Sequence, residues 1–177
     1  MYTGGAGHLG QTGNVVFHIG CRYHRKRFNI IPTIFYAKHH DLLVNAFDPR
    51  VGVNYDQNLG DATAWGAELE LNLYPTENIV VFFNPSYTRL EFDDDFTRGD
   101  TVVHVEGNQY PDTPEMLVKA GMIWTIGNLE VAPTVKYVGR RYSTARETEP
   151  ISSYATADLG VRYTLPKFAW CKDLAVG

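Results

Sequence analysis

Only two cysteines occur in the 177 residues, Cys21 and Cys171. A disulfide-stapled scaffold is thereby excluded; one bridge or two isolated thiols both remain open, and neither fixes a redox compartment. No run approaches the roughly 20 apolar residues that a membrane-crossing helix needs. Met1 leads into Tyr-Thr-Gly-Gly, not into a basic and then apolar secretion leader. Taken plainly, these absences describe a soluble cytoplasmic chain. They are silent on a β-barrel, which crosses with strands of about 9 to 11 alternating residues; for a barrel, the missing leader means that the start of the natural chain is not represented. A basic surplus is lacking too, with 16 Lys and Arg against 20 Asp and Glu. The one dense basic run, Arg22 to Arg27, is broken by Tyr23 and His24. No nucleic-acid partner is expected from that balance.

Aromatics are plentiful, with 11 Tyr, 9 Phe and 3 Trp beside only 20% charged residues, a balance that favours a sheet protein. The clearest strand begins at Ala62. Trp65, Ala67, Leu69, Leu71 and Leu73 share one face, and Gly66, Glu68, Glu70 and Asn72 share the other. Two carboxylates and an amide at period two require water on their side. That water is bulk solvent in a soluble sheet and the lumen in a barrel. The same alternation predicts seven further strands, starting near Val15, Phe28, Ile79, Met116, Leu129, Ala157 and Phe168. Some of their polar faces are mixed, as at Ile31 and Phe35.

The connections alternate in length. Short turns are predicted at His24–Lys26, Pro75–Asn78, Gly127–Asn128 and Pro166–Lys167, and long polar connections at Lys38–Asp61, Asp93–Thr113 and Arg140–Ser152. Tight turns at one end and long loops at the other are the asymmetry of an outer-membrane barrel. Tyr23, Tyr36, Tyr74, Tyr87, Trp124, Tyr137 and Tyr163 fall near the ends of apolar runs, where an amphipathic ring sits between lipid and water. Pro32, Pro85 and Pro133 lie inside strands; each removes a ladder donor, which predicts a bulge or one-sided pairing. Their unequal spacing gives no internal repeat.

No catalytic constellation emerges, and no catalytic, cofactor-binding or metal-binding residue is assigned. Adjacent His39 and His40 point to opposite faces of an extended chain and make a poor metal pair. Asp93, Asp94 and Asp95 offer three carboxylates without the spacing of a calcium loop. Glu68 and Glu70 lie about 7 Å apart on one strand face, a spacing that mimics a glycosidase pair with no cleft-forming segment beside it. Arg98, Arg140, Arg141 and Arg146 fall on the long-loop side, where they suit either solvated charge or an anionic chelate or lipid phosphate. Gly4 to Gly7 lacks phosphate-loop spacing.

Several motifs then follow one another in a telling order. Asn58 to Leu71 carries Gly60, Trp65 and the step Gly66-Ala67-Glu68-Leu69-Glu70-Leu71; Pro75-Thr76-Glu77-Asn78 follows as a tight turn. Gly107 to Pro114, Tyr137 to Tyr142, and Ile151 to Leu159 continue the series. In that order, over about residues 12 to 177, the chain resembles the C-terminal half of the barrel in TonB-dependent outer-membrane receptors. The resemblance implies an all-β fold: an antiparallel transmembrane β-barrel segment of about eight strands, part of a 22-stranded barrel. It divides the chain into a flexible lead over residues 1–12 and a partial receptor barrel, without a plug domain, over residues 13–177.

The function implied is non-enzymatic: TonB-coupled uptake of a scarce ligand, a ferric siderophore first, with cobalamin or a carbohydrate as alternatives, at the bacterial outer membrane. Implied partners are outer-membrane lipid, the plug and remaining strands, and the TonB complex acting through an N-terminal part. With no plug, TonB box or terminal aromatic, a truncated product or excised segment is expected. A small eight-stranded barrel of structural or adhesive type is the alternative.

Overall fold

A computed structural model of the chain describes residues 13–41, 43–48, 52–58, 60–98, 101–165 and 175–176. The strands are β1 (Gly13–Gly20), β2 (Tyr23–Arg25), β3 (Phe28–His40), β4 (Leu43–Asp48), β5 (Val53–Asn58), β6 (Ala62–Thr76), β7 (Ile79–Phe92), β8 (Phe96–Arg98), β9 (Thr101–Val103), β10 (Met116–Ile126), β11 (Leu129–Val138), β12 (Arg141–Tyr142), β13 (Pro150–Ile151), β14 (Tyr154–Thr164) and β15 (Ala175–Val176). One antiparallel sheet runs in the order β1-β3-β6-β7-β10-β11-β14-β15, with β2 continuing β1 along β3. Every neighbour in this path is the next long strand in the chain, so the sheet is a meander, open at β1 and β15 among the described residues. The eight alternating segments read from the sequence are these eight positions. Residues 166–174, with the Pro166–Lys167 turn and the start at Phe168, lie outside the described residues, as do the 1–12 lead and Cys171.

Tight two-residue turns close one end. Arg25 pairs Phe28 around Lys26–Arg27, one residue later than the sequence suggested. Thr76 pairs Ile79 around Glu77–Asn78, and Ile126 pairs Leu129 around Gly127–Asn128. Gly127 sits at φ 59°, a backbone state that glycine reaches at no steric cost and that primed hairpin turns require. At the opposite end each long connection folds on itself, as the hairpins β4–β5, β8–β9 and β12–β13.

Each mid-strand proline keeps one ladder and interrupts the other. Pro32 stays in register with Leu69 of β6, while the ladder to the other side stops at Gly20–Thr33 and resumes at Tyr23–Ile30. Pro85 pairs Val118 of β10, while pairing to β6 lapses between Glu68–Ser86 and Leu71–Phe83. Pro133 pairs Leu159 of β14, and its ladder to β10 lapses between Gly121–Thr134 and Trp124–Val131. One missing N–H costs one side of the ladder and leaves the register intact. The outcome is one-sided pairing, with no bulge at these three sites. The register shift instead falls between Leu73 and Thr76, the stretch that holds Pro75.

The register aligns the alternating faces across the whole sheet. Phe17, Tyr36 and Trp65 stand side by side, as do Ile19, Ile34, Ala67, Tyr87 and Met116. This apolar face has no second layer: Ile19 is 71% exposed, Leu159 68% and Phe17 63%. So much exposed hydrocarbon in one contiguous patch needs an apolar medium or partner over it. Tyr36, Trp65, Tyr87 and Tyr137 edge the patch on the loop side, and Tyr23, Trp124 and Tyr163 on the turn side. Trp65 and Tyr87 pack their rings 5.5 Å apart. Tyr74 leaves this set, because it follows Leu73 and falls on the polar side of the strand.

Candidate functional site

The polar face is a wall of charges and small residues. Thr33, Glu68, Ser86 and Leu117 form one cross-strand row, and Asn84, Lys119, Lys136 and Thr156 another. Two phenylalanines on this face have a local cause. Phe35 is in register with Gly66 and Phe82 with Gly121, and each ring tip occupies the space where a Cβ on the glycine would sit. An aromatic ring laid over a cross-strand glycine covers exposed backbone, so these rings lie flat along the wall. Glu68 and Glu70 share this face as predicted. Glu70 accepts from Asn72 Nδ2 at 3.0 Å, and both carboxylates line an open indentation of the strand surface.

Two shallow cavities of about 520 and 330 Å³ indent the wall and meet at Asn84. Its Oδ1 is buried and accepts no hydrogen bond from protein. At the turn side of the wall Glu130 and Arg162, directly opposed in register, make an ion pair of 3.6 Å.

At the loop end the connection after β7 turns inward over the wall. Ala37, Ala62 and Ala64 are buried there, and Phe92 and Val105 are fully buried. Phe92 packs its ring 5.2 Å from Tyr110 and 6.2 Å from Phe96. Backbone bonds from Phe92 N to Asn108 O and from Tyr110 N to Leu90 O extend the strand into the loop. The small alanines are what allow this loop to lie so close to the strands. Burial also raises the Tyr110 phenol above its ordinary range.

The three consecutive aspartates diverge instead of forming a cation cage. Asp93 accepts from Thr63 Oγ1 at 2.9 Å and faces Lys38 at 3.7 Å; Asp94 is exposed. Asp95 Oδ1 accepts the backbone N–H groups of Val105 at 2.7 Å and Glu106 at 3.0 Å, and its Oδ2 meets His104 Nδ1 at 2.6 Å. The Glu106 and Val105 amides, then His104, hold the Asp95 carboxyl down at about 2. His39 meets Asn14 Oδ1 and His40 meets Asp61 Oδ2, each at 2.8 Å, from opposite faces of β3. The His40 contact lowers the Asp61 carboxyl. Among the described residues no three His, Cys, Asp or Glu side chains gather to hold a metal ion.

The second and third long loops lock together. Asn108 Nδ2 donates to Ala145 O at 2.9 Å, and Gln109 N to Glu147 Oε1 at 2.7 Å. Asp112 N donates to Tyr142 O at 2.7 Å, and Arg141 Nε to Asp112 Oδ1. Asp112 and Glu147 both hold positive φ, 55° each, an uncommon state for side-chain-bearing residues that local bonds must over-determine. The four loop arginines therefore do not act alike. Arg141 is tied down and lies over Tyr154 at 5.8 Å, whereas exposed Arg140 stacks on Tyr142 at 5.0 Å. Arg146 is exposed, and the Arg98 side chain lies outside the described residues. The Asp95 clasp and the loop-to-loop bonds were invisible in the sequence, since their partners lie 9 to 38 residues apart.

The model of the family described as TonB dependent receptor-like, beta-barrel matches residues 17–177. No curated protein matches the chain. Among solved structures, the ferric yersiniabactin uptake receptor FyuA from Yersinia pestis is similar at 21% identity and a TM-score of 0.67, covering 85% of this chain and 22% of that one. The siderophore receptor PiuA from Acinetobacter baumannii gives 22% identity and 0.67, over 87% and 22%. The copper transporter OprC gives 12% identity and 0.71, over 90% and 24%. The chain thus spans less than a quarter of the length of these three structures, and its likeness to them is one of fold. With a family match over nearly all its residues and the same open arc of strands, the chain belongs to the TonB-dependent receptor-like β-barrel family.

Proposed function

We propose that this chain is a wall segment of an outer-membrane receptor that takes up a scarce ligand, a ferric siderophore, with energy delivered through TonB. The observation that carries the reading is the pairing of two asymmetries in one sheet. An exposed apolar band edged by Tyr and Trp faces one way and a charged wall the other, while tight turns mark one end and folded loops the opposite end. Lipid covers the band, water and the receptor's interior meet the wall, and the loops lie outside the cell. In this reading residues 13–177 are the partial barrel and residues 1–12 a lead. The plug and the remaining strands complete it, since unpaired edges are costly in lipid. Receptors for siderophores among the similar folds support the choice of ligand; a copper transporter also has a similar fold. The chain binds and passes cargo and breaks no bond.

The test is uptake by the whole receptor. Iron-starved cells expressing the complete gene product that contains this chain should accumulate a radiolabelled ferric siderophore, and a proton uncoupler should stop accumulation while leaving surface binding. Accumulation equal to that of cells lacking the gene, across hydroxamate, catecholate and carboxylate siderophores, would sink the siderophore assignment.

A further inference from the structure

We infer that the polar wall carries a carboxylate-binding site built on Lys119 and Lys136. These lysines are direct cross-strand partners in the β10–β11 ladder and project from the same face. Like charges directly opposed across an antiparallel pair repel, because their Cβ atoms are only about 5 Å apart. Among the described residues neither has a carboxylate within ion-pair distance. The wall shows elsewhere how it handles such a position: Glu130 faces Arg162 and the pair closes to 3.6 Å.

The lysines line the cavity of about 520 Å³ together with Asn84, Thr134 and Asp158. Asp158 is in register with Thr134, diagonal to Lys136, so two cations against one anion leave the cavity with a surplus positive charge. Glu70, the next carboxylate along the row, stands two strands away, about 10 Å from Lys119 at ordinary strand spacing. Asn84 is in register with Lys119, and its buried Oδ1 lacks a donor. A buried acceptor left unpaired is costly. A ligand complementary to this lining brings an anion for the lysines and an adjacent O–H or N–H for Asn84. A carboxylate flanked by a hydroxyl meets both demands, whether on a small solute or on an Asp-Ser step of a protein segment. The site depends on the face and register of the strands, not on which cargo is imported.

The test uses the complete receptor that contains this chain, held in detergent micelles at low salt. Lysine acylation is followed residue by residue by mass spectrometry, with Lys26 at the turn end as the internal control. Malate should slow acylation of Lys119 and Lys136 severalfold at millimolar concentration, succinate should do so less because it lacks the hydroxyl, and Lys26 should not change. A capped Asp-Ser peptide run in parallel identifies the source: stronger protection by malate marks a free solute, and stronger protection by the peptide marks a protein segment. If none of the three protects, or if Lys26 is protected equally, the inference is overturned. Lys136→Glu supplies the carboxylate within the sheet. It should keep the urea midpoint at or above that of the parent chain while malate protection at Lys119 disappears; persistence of that protection would also overturn the site. These readouts need no transport, so failure of the uptake assay leaves them unaffected.

Discussion

The wall and the loop cap solve the burial problem in opposite ways. On the apolar side of the sheet, residues such as Ile19, Phe17 and Leu159 stay mostly exposed to whatever lies outside it. In the cap, Phe92 and Val105 lose essentially all contact with solvent inside the chain's own fold. A strand surface one layer thick has no interior, so its apolar side chains depend on an apolar cover from outside the chain. A loop folded over alanines makes a small core that water cannot enter. The difference teaches that the loop end is a folded structure with a small core of its own and not a fringe of the sheet.

The largest expected effect breaks the cap alone. Phe92→Ala removes the side chain between Tyr110 and Phe96 and should cost about 3–5 kcal/mol of local stability. Hydrogen exchange should report it as lost protection at the Gly107 and Tyr110 amides, which bond to Phe92 and Leu90, with the Val131 and Val135 amides unchanged. Equal loss in the wall would mean that the two regions are one cooperative unit.

The next effect tests what covers the apolar face. Leu159→Arg, in the middle of β14, should cost about 2–4 kcal/mol when folding is measured in lipid vesicles. Glu68→Gln on the opposite face should stay within about 0.5 kcal/mol, as a surface substitution does. A reversal of the two would mean that the charged wall faces lipid.

The smallest effect is a pH dependence confined to the cap. Asp95 is held at about 2 against an ordinary 3.8. A depressed carboxyl stabilises the fold above its unfolded value, and that contribution disappears as pH falls from about 4 to about 2. Protection of the Val105 and Glu106 amides, corrected for intrinsic exchange, should decline over that window. Asp95→Asn should show weaker protection at neutral pH and no such decline.

Much of the wall was legible because strand alternation has a period of two and needs no knowledge of the partner. Trp65 to Leu73, the tight turn at Gly127 and the long connection after Phe92 could each be read locally. The three prolines also declared themselves, since a missing N–H is a property of the residue. Which of the two ladders each proline would break was not legible, because that depends on the strand lying alongside. At Asp93 to Asp95 the spacing showed only that no calcium loop is written there, and the contacts of Asp95 were not legible. Its acceptors reach Val105 and Glu106 across the β8–β9 hairpin, and sequence spacing alone does not bring them together.

The sequence by itself determined that the chain forms two-faced antiparallel strands with short and long ends, because hydrophobic period and turn chemistry are local. Only the tertiary structure decided that Lys119 stands opposite Lys136 while Glu130 stands opposite Arg162. Register is a relation between strands, and a shift of one residue would have turned every one of these charges to the other face.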